Sequence, residues 1–145
     1  TCVETYIIEP KQKVLNSVTE DITVEGMIQT MTQYLNHLKE ALMTFDNKSI
    51  NTGNVNSIMF TAYGRFPALH RKAQRLALKE VDLWRKAIYN SQRAGLIKHG
   101  IDVDQIALMF AHIKNSYDSG LGRTQMNFQL LEKTYYALYN LLKKE

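Results

Sequence analysis

A chain of 145 residues with 45% hydrophobic and 22% charged residues, two prolines and seven glycines fits one globular domain, burying roughly 70% of its unfolded surface with no need of a staple. A single cysteine, Cys2, and four histidines without metal-ligand spacing exclude an internal disulfide and argue against a structural metal or cofactor. The net charge of +4 is uneven: nine of the eighteen Lys and Arg residues lie between Arg65 and Lys98, against only Glu80 and Asp82, which marks either a surface for an anionic partner such as nucleic acid or the solvated face of a long helix.

No apolar run approaches the roughly 20 residues of a bilayer span, and "TCVETYIIEP" has no basic-then-apolar leader, so the expected location is the cytoplasm and no membrane contact is expected. The first residue is Thr rather than Met, which suggests a trimmed or excised piece. Thr1 to Ile8 reads as the tail of a helix ended by Pro10, because proline disfavours helical geometry in the residue before it. A polar loop follows to about Ile22. Thr23 then caps a helix whose Val24, Ile28, Met31, Leu35, Leu38, Leu42 and Phe45 recur every three or four positions, one stripe of an amphipathic helix.

"DNKSINTGN", Asp46 to Asn54, is a turn-rich loop, and Asn54 is positioned to cap a shorter helix carrying Ile58, Met59, Ala62 and Tyr63. Pro67 suits the first position of a helix, where its missing N–H costs nothing, and neither glycine nor proline interrupts the chain from there to Ala94. Gly95 fits the left-handed cap after that helix. "DVDQ", Asp102 to Gln105, is a capping box for the next one. "SGLGRT", Ser119 to Thr124, closes it, and Thr124 caps a last helix through Tyr135 and Leu138 to about Leu142. With no strand alternation and no repeat, the expectation is a single all-α domain over residues 1–145, a multi-helix bundle of about six helices.

The last two helices are apolar on more than one side. Ile106, Phe110, Ile113 and Tyr117 form one stripe while Leu108, Met109 and His112 lie on another. Phe128, Leu131, Tyr135, Leu138 and Leu142 form a face while Leu130, Ala137 and Leu141 spread round the axis. A helix apolar all round must be buried. Either both helices are central in a monomeric core, or they pack against their copies as a two-fold four-helix interface of a homodimer. The candidate interface residues are Leu108, Phe110, Ile113, Tyr117, Phe128, Leu131, Tyr135, Leu138 and Leu142.

The phrase "WRKAIYNSQRAGLIKHGIDVDQIALMF" resembles the regulatory domain of TetR-family transcriptional repressors, in which a long helix, a turn near a glycine and a Leu/Ile pair, and an Asp-initiated helix follow one another. The matching positions are Trp84, Ala87, Ile88, Gln92, Gly95, Leu96, Ile97, Asp102, Asp104, Ala107 and Phe110, and "FPALHR", Phe66 to Arg71, is similar to the family's entry into that helix. The likeness covers mainly Tyr63 to Gly120. It implies a domain that dimerises and binds a small-molecule effector. The family's compact three-helix unit of about fifty residues, which contains its helix-turn-helix, is missing here, and "CVETYI" looks like the end of the connecting helix just after it, so residues 1–10 are expected to continue from an absent DNA-binding segment that alone would touch DNA.

For the effector the candidate residues are Met31, Tyr34, Met59, Tyr63, Phe66, Glu80, Trp84, Met109 and His112. Glu80 is central because Ala73, Leu76, Ala77, Val81, Trp84 and Ile88 surround it at helical spacing. A carboxylate aimed inward demands an Arg, a His or a cationic ligand, or must reach the rim. The tyrosines, Phe66 and the methionines are what a mostly apolar pocket uses, and also what fills a core. His112 and Trp84 stand between the same two readings. No nucleophile with a base, no carboxylate pair and no metal cluster stands out, so catalysis is not expected. The competing function is a stand-alone helical module that binds a partner protein through the apolar face assigned to dimerisation.

Overall fold

The computed structural model describes residues 4–45, 52–120 and 128–145. Among them the chain forms six α-helices: α1 (Glu9–Asn16), α2 (Val24–Phe45), α3 (Thr52–Arg65), α4 (Pro67–Arg93), α5 (Val103–Gly120) and α6 (Phe128–Leu142). The only β-type pairing among the described residues is an isolated antiparallel bridge between Ile97 and Lys143. The all-α expectation therefore holds.

The first departure from expectation is at Pro10. The helix does not end there; a π-helical turn over Glu4–Ile8 leads directly into α1, with Pro10 in its first turn. A proline is tolerated in a first turn because its absent N–H is one the helix leaves unpaired anyway, and a π-turn is one of the usual sites of a helix kink. The loop is correspondingly short. Ile8 and Leu15 then reach the core, which a polar loop from residue 9 onward would not have provided.

Helix α2 begins where Thr23 and Ser91 supply its end groups. The Gly26 amide donates to Thr23 Oγ1 at 3.2 Å, and the Val24 amide donates to Ser91 Oγ at 3.0 Å across the fold. Asn90 Nδ2 donates to the carbonyls of Glu20 and Ile22, each at 2.9 Å. The α1–α2 turn is thus strapped to the last turns of α4. Val24, Ile28, Met31, Leu35 and Leu38 are all buried, as their spacing predicts, while the side chains of Leu42 and Phe45 lie outside the described residues.

Helix α4, 27 residues long and so about 40 Å at 1.5 Å per residue, packs against α1, α2, α3 and α5, and α6 fills the space between α2 and α5. Its end is a Schellman motif around Gly95, which has φ +76°: the Leu96 amide donates to the Ser91 carbonyl at 2.9 Å and the Gly95 amide to that of Gln92 at 3.0 Å. Asp102 Oδ1 accepts from the Gln105 amide at 3.2 Å, its half of the capping box. The linker between these helices is pinned to the C-terminus, with the Lys98 amide donating to the Leu142 carbonyl at 2.9 Å and the Lys144 amide to that of Leu96 at 3.0 Å. Asn54 lies inside α3 rather than at its start, since the helix already begins at Thr52. The Thr124 cap lies outside the described residues.

At the centre of the bundle Trp84 is sealed from solvent. Its ring stacks on Phe110 of α5 with centroids 4.5 Å apart and planes 9° from parallel, and on Tyr135 of α6 at 5.7 Å. Three helices are joined by one aromatic stack, each pair adding about 0.5–1.5 kcal/mol beyond its buried area. No helix among the described residues is long and apolar enough to cross a membrane.

Candidate ligand-binding site

The stack leaves a consequence for Glu80, one turn before Trp84 on the same face of α4. The residue is only 4% exposed. Oε2 accepts from Trp84 Nε1 at 3.2 Å and Oε1 meets Lys11 Nζ of α1 at 2.9 Å. The inward-facing carboxylate does find a cation, but a lysine from the segment read as a loop. Lys72 with Glu4 at 3.3 Å repeats the pattern seven to eight residues earlier on both elements, so the start of the chain runs along the first half of α4 with two ion pairs between them.

A cavity of about 170 Å³ opens beside this pair, between the π-turn with α1, α2, α3, α4 and α5. Five of the residues expected around an effector line it: Tyr34, Met59, Tyr63, Glu80 and His112. The rest of its wall is Ile7, Ile8 and Lys11 from the first segment, Ala73, Leu76 and Ala77 from α4, and Ala111 from α5. Three alanines in that wall leave the room that larger side chains would occupy. Among the described residues no group of His, Cys, Asp and Glu is arranged to hold a metal ion.

Four candidates stand elsewhere. Trp84 and Met31 are fully buried in the core behind the cavity and do not line it. Trp84 is held there because its ring is taken up by Phe110 and Tyr135. Phe66 is half exposed at the junction of α3 and α4, where its extended backbone (φ −127°, ψ 84°) lets the chain turn into Pro67. Met109 is half exposed on the outer side of α5. Of the wall residues that sequence reasoning missed, Ala73, Leu76 and Ala77 lie on α4, Ala111 on α5, and Ile7, Ile8 and Lys11 in the first segment, where an expected helix stop at Pro10 gave Lys11 no face to occupy.

The candidate dimer face also divides. Phe110, Leu131, Tyr135 and Leu142 are buried inside the single chain, because α5 and α6 turn that stripe toward Trp84; no second chain can use them. Ile113 and Leu138 are half-buried against the core, Leu108 is exposed, and the side chains of Tyr117 and Phe128 lie outside the described residues. What α5 and α6 expose instead is the other stripe: Leu108 and Met109 on α5, Leu130, Ala137 and Leu141 on α6, with Leu141 72% exposed.

Three of the basic residues of α4 are met by acids within the chain. Arg85 bonds Asp82 at 2.5 Å and Asp104 of α5 at 2.7 Å, Lys86 bonds Glu20 at 2.9 Å, and Lys72 bonds Glu4. Lys79 donates to Asn16 and Arg93 to Asn90. Such surface pairs contribute little to stability, typically about 0–1 kcal/mol each, but they take up cations that a nucleic acid would need.

Burial, and secondarily the neighbouring Tyr34, pushes the Tyr63 phenol above its ordinary value of 10.0. Burial, with Glu25 adding repulsion, does the same for Tyr136 and Tyr139. A phenol whose pKa is raised by folding keeps its proton more tightly in the native chain, so its contribution to stability is complete below pH 10.0 and falls as pH rises through the folded values. The urea midpoint is therefore expected to hold level between about pH 8 and 9 and to drop above about pH 10, and the drop is expected to be shallower in Tyr139→Phe. No family model, curated protein or solved structure matches the chain.

Proposed function

We propose that the chain is the regulatory domain of a TetR-like transcriptional regulator, a repressor, which pairs as a homodimer through the outer stripes of α5 and α6 and takes a small effector into the cavity beside Glu80. The observation that carries this reading is the exposed apolar stripe Leu108, Met109, Leu130, Ala137 and Leu141 on two helices that pack against each other. Burying a large apolar side chain contributes roughly 1.5–3 kcal/mol before ordering costs, and a two-fold axis counts every such residue twice.

The route from cavity to DNA runs through α1 in this reading. The first helix forms one wall of the cavity and is tied to α4 by Lys11 with Glu80, so in this reading an occupant that prefers one setting of α1 also shifts the segment that leads into it. Two helix-turn-helix units must present themselves about 34–36 Å apart, or a multiple of that, to read two half-sites. An effector changes operator affinity by the difference between its affinities for the two settings, commonly worth about 1–3 kcal/mol.

Placing glutamate at the outer stripe tests the proposal. Leu108→Glu with Leu141→Glu is expected to convert the dimer to a monomer with unchanged helix content by circular dichroism. A wild-type chain that is monomeric and pairs only with a different protein would favour the alternative, a helical interaction module.

A further inference from the structure

Resting on the effector reading above, we infer that the cavity takes a compact, uncharged molecule of about one ring with a single hydrogen-bonding group. Its volume of about 170 Å³ lies below the roughly 300–1,000 Å³ of sites for drug-sized ligands and near the roughly 150 Å³ that admits benzene. The charge balance decides the rest. The oppositely charged pair in the wall, Lys11 and Glu80, already neutralise each other at 2.9 Å, and the second oxygen of Glu80 is met by Trp84.

An anionic ligand would compete with Glu80 for the one ammonium of Lys11, setting two negative charges against a single cation. A cationic ligand would compete with the Lys11 ammonium for the carboxylate of a residue that is 4% exposed. Breaking a buried pair from either side is strongly unfavourable. A neutral ligand leaves the pair intact, rests on Leu76, Ala77 and Ala111, and meets the Tyr63 phenol, which burial keeps protonated.

The test is titration calorimetry on the purified chain at pH 8 with three probes of one size: benzyl alcohol, benzoate and benzylamine. Benzyl alcohol is expected to bind at least about tenfold more tightly than either ion, and to lose that binding in Ala111→Leu and in Ala73→Leu, which fill the cavity from two different helices. Equal or tighter binding of benzoate or benzylamine overturns the inference, as does binding that survives both fillings, or no binding by any probe. The subunit mass, measured on the same samples, reports on dimerisation separately, so a failed ligand class is distinguishable from a failed regulator reading.

Discussion

Trp84→Ala is expected to lower the unfolding free energy by about 4 kcal/mol, within the range for deleting a large buried aromatic. The expectation rests on position rather than size alone. The ring is fully buried, faces Phe110 at 4.5 Å and Tyr135 at 5.7 Å, and donates through Nε1 to Glu80. Removing it takes away two stacking partners that belong to different helices, and withdraws a donor from a buried carboxylate, which adds its own penalty. Trp84→Phe separates these contributions, since it keeps a ring in the stack while losing the donor. Guanidinium titration at one fixed chain concentration measures both; the fixed concentration keeps the comparison valid under the proposed dimerisation, which would make stability depend on concentration. A loss under about 1 kcal/mol for the alanine variant would mean the stack does not join the helices as described.

The second large effect belongs to the ion pair at the cavity. Lys11→Met is expected to cost about 3 kcal/mol, because it removes the cation from a Glu80 side chain that is only 6% exposed. The double replacement Lys11→Met with Glu80→Met is expected to recover most of that loss, since an apolar pair of similar volume removes both charges together. The pair's side chains are 16% and 6% exposed, so solvent screening reduces the effect only modestly. A double variant no more stable than the single one would show that the carboxylate was not stranded. The cycle also bears on function, because Lys11 and Glu80 connect the first helix to the wall of the cavity.

The sequence carries most of the architecture in its helix ends. Thr23, Pro67, Gly95 and Asp102 each stand at the boundary their chemistry suits, and the period of Val24, Ile28, Met31, Leu35 and Leu38 indicates which face of α2 is buried. Pro10 was not legible in the same way. Whether proline ends a helix or opens the next one depends on the backbone before it, and a π-turn over Glu4–Ile8 has no residue signature comparable to a cap. That one ambiguity hid α1, and with it Lys11 as the partner of Glu80.

The candidate site was half legible for a related reason. Glu80 among apolar neighbours announced a buried carboxylate, yet periodicity on one helix cannot say which element supplies the counter-ion. Similarly, α5 and α6 carry two apolar stripes each, and their sequence does not say which turns inward. The aromatic stack decides it: Phe110 and Tyr135 face Trp84 and Leu131 is buried with them, leaving Leu108, Met109, Leu130 and Leu141 outside.

Sedimentation equilibrium of the purified chain over a range of micromolar concentrations tests this most directly. A particle of twice the 16.7 kDa of one chain, persisting on dilution and reverting to a folded single chain in Leu108→Glu with Leu141→Glu, is the predicted result. A wild-type particle of one chain's mass at every concentration would contradict it.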